Sequence, residues 1–203
     1  MGGMGGGEPL YDVPAEGYDE LYGEEQVAKY AAALGRFPQP SRRPPVVLDI
    51  GCATGLLTRF LEMLGLRHIY IGIDLDADRL RVARDRSPSA MVIRADAHAL
   101  PIRSGAADLT ACFTVIHLLD PERAVREMAR VSRGTIIITL LKKRIELKPL
   151  MLRLFREHLK NWHLESLQVA EDVRDEIYVL VKQDCGDFRV GASQVFSGMA
   201  SPP

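Results

Sequence analysis

Three aspartates stand where short apolar runs end. Val46-Val47-Leu48 leads into Asp49-Ile50, His68-Ile69-Tyr70-Ile71-Gly72-Ile73 into Asp74, and Ala90-Met91-Val92-Ile93-Arg94 into Ala95-Asp96. An ionised carboxylate only accepts hydrogen bonds, so such a set suits sugar hydroxyls, amino groups and cations rather than phosphate. Directly after the first acid comes Gly51-Cys52-Ala53-Thr54-Gly55, whose glycines allow the backbone to approach a ligand closely. No Lys-Ser/Thr follows the second glycine, so this is not a phosphate loop. Ala53 stands where the dinucleotide fingerprint has its second glycine, and the third glycine is missing. Taken alone, the loop is equally readable as a strand-to-helix turn with no ligand.

The elements that would position these residues follow from periodicity. Val46–Ile50 has the near-continuous apolar character of a strand buried on both faces, and Leu57, Phe60, Leu61 and Leu64 then recur at helical spacing. Further strands are expected over 68–73, 90–94, 108–113 and 134–141. Helices are expected from about Asp76, after the Asp120-Pro121 cap, and over 150–159. Two final strands are expected over 165–170 and 176–182, joined near Asp172–Asp175. The alternation defines βαβ units, hence an α/β, Rossmann-like doubly wound sheet, mainly parallel with an antiparallel strand at the end. Ligands of such sheets lie at the carboxyl ends of the strands, where Asp49, Asp74, Asp96 and Thr114 all fall.

The rim chemistry fits a nucleoside. Asp74 is placed to accept both ribose hydroxyls; Asp96-Ala97 offers an acceptor to an adenine amino group and a backbone N–H to a ring nitrogen. Asp49 would orient the turn or reach an ammonium through water. A nucleoside with an ammonium and little phosphate suggests S-adenosylmethionine rather than a dinucleotide. The ordered motifs Val-Leu-Asp-Ile-Gly-Cys-Ala-Thr-Gly, Gly-Ile-Asp-Leu, Arg-Ala-Asp-Ala-His-Ala-Leu-Pro and Ala-Asp-Leu-Thr-Ala-Cys-Phe-Thr-Val-Ile-His-Leu-Leu-Asp-Pro resemble those of class I S-adenosylmethionine-dependent methyltransferases. The resemblance is strong over residues 44–141 and one of layout to about 182. It implies a seven-stranded fold and S-adenosylmethionine as cofactor, with S-adenosylhomocysteine as product. It places Gly51–Gly55 and Thr114 at the methionine part, Asp74 at the ribose, and Asp96 and Ala97 at the adenine. The cofactor-binding candidates are thus Tyr18, Tyr22, Asp49, Gly51, Cys52, Ala53, Gly55, Asp74, Leu75, Asp96, Ala97 and Thr114. No Asn-Pro-Pro-Tyr follows the fourth strand, so the N-methylating group using that motif is not indicated.

The remainder bounds partners and setting. A chain of 203 residues with net charge −1 suits one domain without a strongly electrostatic partner. Residues 1–17 read as a flexible leader, 18–184 as the domain with an N-terminal lid helix over 18–35, and 185–203 as a mobile tail. That helix either covers a sheet edge or closes tyrosines Tyr18 and Tyr22 over a ligand. Cys52, Cys112 and Cys185 are far apart, so neither a metal site nor a disulfide framework is expected, and a reducing cytoplasmic setting follows. No apolar run is long enough for a membrane span. Catalysis needs alignment more than a base, so no catalytic residue is assigned; His117 and Tyr18 are substrate-side candidates, His117 chiefly positional. The segment Lys142–Lys160 with Trp162 reads either as an RNA-binding face or as a solvated helix. The acceptor is therefore RNA, tRNA in particular, or a small metabolite. The alternative is a catalytically silent S-adenosylmethionine-binding subunit that needs a protein partner.

Overall fold

The computed structural model describes residues 14, 17–34, 43–167 and 173–183. The expected leader, most of the proline connector and the expected tail lie outside them, as does the side chain of Tyr18. In chain order the elements are α1 (Tyr18–Leu34), β1 (Val46–Ile50), α2 (Leu56–Met63), β2 (Ile69–Asp74), α3 (Ala77–Arg86) and β3 (Met91–Arg94). They continue with β4 (Ala107–Cys112), α4 (Pro121–Val131), β5 (Ser132–Leu141), α5 (Lys148–His158), β6 (Trp162–Leu167) and β7 (Asp175–Lys182). Short 3-10 turns occupy Ile116–Leu118 and Lys142–Leu147. Among the described residues no helix is long and apolar enough to cross a membrane.

The strands form one seven-stranded sheet in the order β3-β2-β1-β4-β5-β7-β6, with β1 to β5 parallel and β7 antiparallel to both β5 and β6. Strand order reverses between β1 and β4, which opens a crevice at their carboxyl ends. Side chains alternate across the sheet. Leu48, Ile50, Cys112, Ile136 and Ile138 meet Val125 and Met128 of α4 and Met151 and Leu154 of α5 on one face. Val47, Leu109, Ala111 and Ile137 meet Tyr30 of α1 and Leu57 and Phe60 of α2 on the other. Asp76 and Asp120 each cap the following helix through two backbone N–H groups, and Pro121 fills the tolerated first turn.

Three expectations change. Strand β6 begins at Trp162 rather than Glu165, because Trp162 and Leu164 alternate inward against the core while His163 faces out. Helix α1, whose spacing predicts Val27, Tyr30, Ala31 and Leu34 on one face, turns Gln26, Lys29, Tyr30, Ala33 and Leu34 inward and leaves Val27 36% exposed. It covers no sheet edge: Tyr30 packs on Phe60 and Phe113, at centroid distances of 5.7 and 4.8 Å, above the crevice.

At the amino ends of the strands Asp108 is 2% exposed. It accepts Arg43 at 2.9 and 2.7 Å, Arg133 at 2.8 and 2.9 Å and the Val46 N–H at 2.9 Å. Burial raises its pKa, but the bonds from Arg133, Arg43 and Val46 outweigh it and hold the carboxyl well below the usual range. A depressed folded pKa means stability that is present above the unfolded pKa and lost as pH falls through the folded one. Asp108→Ala is expected to cost on the order of 2–3 kcal/mol at pH 7, and the gap from wild type to narrow below about pH 4, in thermal melts from pH 2 to 7.

Candidate cofactor-binding site

The glycine turn closes the crevice at the end of β1. Three of its five residues are left-handed: Gly51 at φ 72°, Ala53 at 45° and Gly55 at 76°. At Gly51 a Cβ would lie 2.4 Å from a Val115 methyl carbon, so the turn needs glycine there for space as well as conformation. Ala53 has no such freedom and is held by its N–H, which donates to Asp74 Oδ2 at 2.9 Å. The Gly51 and Cys52 N–H groups both donate to the Ile73 carbonyl, at 2.8 and 3.0 Å, and that of Gly55 to the Cys52 carbonyl at 2.9 Å. These N–H groups are therefore spent within the chain. The exclusion of a phosphate cradle thereby gains a structural reason.

Asp74, 5% exposed, links turn and helix: Oδ2 takes the Ala53 N–H, and Oδ1 takes that of Asp76 at 2.9 Å. It also orients the turn, a role the sequence had offered to Asp49. Each carboxylate oxygen keeps a second lone pair for a hydroxyl. Leu75, beside it, is 42% exposed. Asp49, 4% exposed, instead accepts the Tyr70 hydroxyl at 2.7 Å. Burial is the main force that raises its pKa to about 7; the Tyr70 bond opposes this and neighbouring Asp74 adds to it. Cys52 is buried over Gly72, where a Cβ would lie 2.7 Å from its Sγ. Burial, then Asp49 and Asp74, push its thiol pKa well up, so it packs as an inert small residue.

Asp96, past β3, bonds through Oδ1 to the His98 N–H at 2.9 Å and to His98 Nδ1 at 2.7 Å. His98 Nε2 accepts the Asp120 N–H at 2.9 Å, which fixes a neutral ring with the proton on Nδ1. The backbone bond from His98 is the largest of the effects lowering the Asp96 pKa. Ala97 is buried beside it.

Thr114, after β4, is left-handed at φ 58° and belongs to a buried network absent from the sequence reading. Lys29, 1% exposed, donates to Thr114 Oγ1 at 2.9 Å and pairs with Glu25 at 2.8 Å and Asp175 at 3.1 Å. Asp175, fully buried, also accepts the hydroxyls of Thr114 at 2.8 Å and Thr139 at 2.7 Å through Oδ2. At the other end of α1, Asp19 accepts the Thr54 hydroxyl at 2.6 Å and pairs with Arg86. The helix is thus stapled across the crevice at both ends. Tyr30, rather than Tyr22, reaches the recess; Tyr22 is 37% exposed. Gln26, Tyr30, Asp49, Gly51, Ala53 and Phe113 line that recess. His117 Nδ1 is buried without a hydrogen-bond partner, and burial, then the Arg144 charge, lower the ring's pKa.

Part of the charge of the basic segment is paired within the chain. Arg144 pairs with Glu146, Lys148 with Glu176 and Arg153 with Glu157, while the Lys182 ammonium lies 5.7 Å from the Trp162 ring centroid.

A seven-stranded sheet with its crevice between β1 and β4, edged by acids and closed by a turn that spends its own N–H groups, defines a nucleoside-binding Rossmann-like protein. Residues 48–138 match the methyltransferase domain family, which with the fold identifies this domain as a class I S-adenosylmethionine-dependent methyltransferase domain. A probable S-adenosylmethionine-dependent methyltransferase of Mycobacterium tuberculosis is 32% identical over 105 residues, covering 51% of this chain and 38% of that protein. The 18S rRNA (guanine-N(7))-methyltransferase of Bos taurus is 35% identical over 91 residues, covering 44% and 31%. This chain therefore spans about a third of the length of those two relatives. In fold it is similar to a chain of the complex between the Haloferax volcanii Trm112 methyltransferase activator and a methyltransferase. There the TM-score is 0.69 at 16% identity, with 83% of this chain and 95% of that one covered.

Proposed function

We propose that this chain transfers a methyl group from S-adenosylmethionine to a nucleophile on RNA or a small metabolite. The observation that carries this reading is the composition of the recess. It gathers the Asp49 carboxyl and the Gln26 amide, with Asp74 bonded to the Ala53 N–H of its lining, and the Lys29 ammonium that reaches Gln26 through Thr114 is neutralised by Glu25 and Asp175. Such a set suits a cationic amino-acid end joined to a nucleoside, and suits a pyrophosphate poorly. Asp74 would hold the ribose, Asp96 and Ala97 the adenine, and Asp49 with the turn the methionine. Tyr18, Tyr22 and Leu75 would flank the opening. The bound sulfonium would supply an electrophilic methyl group, and the chain would contribute alignment and exclusion of water.

Calorimetry with S-adenosylmethionine, S-adenosylhomocysteine and NAD tests the cofactor. Binding of the first two and not the third is expected, and tight NAD binding would overturn the reading. Tritiated methyl transfer to fractionated RNA, protein and small-molecule pools then identifies the acceptor. An RNA acceptor requires tRNA binding that weakens steeply with salt and on removal of Lys142, Lys143 and Arg144.

A second reading, a silent subunit activated by a partner, is favoured by the outer strand β3, whose Met91 is 48% exposed beside Ile69 at 43%. The neighbour's complex with an activator supports it. Transfer seen only when cell extract is added would select it.

A further inference from the structure

Gln26 carries an orphan acceptor whose direction the surrounding network dictates. Its Oε1 is buried and has no hydrogen-bond partner, and the residue is 5% exposed. An amide can be turned end for end, so its orientation must come from its neighbours. Thr114 Oγ1 gives its only proton to Asp175 Oδ2, at 2.8 Å. Its lone pairs therefore accept, from Lys29 Nζ at 2.9 Å and from Gln26 at 3.4 Å. The atom of Gln26 facing Thr114 must be the donor, Nε2. The carbonyl oxygen is the other end of the amide, on a residue that lines the recess with Asp49, Gly51 and Ala53. A buried acceptor left unpaired is destabilising, and a donor in the recess would relieve it.

We propose that Gln26 Oε1 accepts a hydrogen bond from the α-ammonium of the methionine moiety, making α1 part of the cofactor's recognition surface. This rests on the S-adenosylmethionine reading. Glu25, Lys29 and Asp175 act through Gln26 by fixing the polarity of Thr114, and so are positioning residues.

The test compares S-adenosylhomocysteine with its desamino analogue, which has hydrogen in place of the amino group, by calorimetry on the full chain. Wild type is expected to favour the amino compound by roughly tenfold or more, as for a hydrogen bond to a charged group. Gln26→Met keeps the side-chain length and removes the acceptor, and should bring the two ligands to within about twofold. Loss of fold would weaken both ligands together and leave the ratio intact, so the ratio is the readout. Gln26→Glu, which keeps an acceptor in place, should retain or widen the preference. A Met variant that discriminates as well as wild type would overturn the proposal. If wild type binds neither ligand, the cofactor reading itself fails, an outcome distinct from an unchanged ratio.

Discussion

Lys29→Met is expected to destabilise the ligand-free protein by about 3–5 kcal/mol, because it strands a buried carboxylate. Asp175 is fully buried and is held by Lys29 Nζ together with the Thr114 and Thr139 hydroxyls. Removing the ammonium leaves the carboxylate with two neutral donors, too few to replace its hydration. The double variant Lys29→Met, Asp175→Asn should recover most of the loss, since an amide can still accept from both hydroxyls. Denaturant melts of the four proteins give the coupling energy, expected to exceed about 2 kcal/mol for groups in direct contact. Independent, additive losses would mean that the pair does not act as a unit.

The second large effect is electrostatic. With its pKa raised to about 7, Asp49 favours the neutral form in the folded protein. For a raised folded pKa the associated stability is complete below the unfolded pKa and is lost as pH rises through the folded one. Ligand-free wild type should therefore lose on the order of 3–4 kcal/mol from this group between pH 4 and pH 8. Asp49→Asn keeps an acceptor for the Tyr70 hydroxyl and carries no charge to desolvate. Its melting temperature should match wild type below about pH 4 and exceed it by roughly 6–16 °C at pH 8. A cationic ligand favours the ionised acid, so S-adenosylmethionine binding near pH 7 should release about half a proton, and binding to the Asn variant none. Calorimetry in buffers of different ionisation enthalpy reads this directly. Identical heats across buffers would exclude Asp49 from contact with the ligand's charge.

The parts of this molecule legible from sequence are those governed by local rules. The apolar runs before Asp49, Asp74 and Asp96 became strands of one parallel array, and Asp76, Asp120 and Pro121 marked helix starts by their ordinary chemistry. Gly51 was legible as a tight turn, but its close approach to Val115 was not, since that distance depends on a residue after another strand. The network of Lys29 and Asp175 was illegible for a different reason. A lysine among glutamates on a helix reads as solvated, and Asp175 sat in an expected loop. Only the antiparallel direction of β7 brings the first residue of that strand to the rim formed by the ends of the parallel ones. The place of Trp162 was not legible either: set among basic residues, it opens an outer strand and packs partly on the core, an alternation that shows only once β6 is paired with β7.

The staple between Lys29 and Asp175 also bears on how the protein is made. It joins the first described helix to the last described strand, as far apart in sequence as any two described elements lie. During synthesis α1 leaves the ribosome long before its partner acid exists, and closing so large a loop is slow. Until β7 arrives, a nascent chain holds a helix with a lysine that has no Asp175 to meet and a turn already shaped at Gly51. The recess is therefore completed late, once Asp175 in the last described strand has been made.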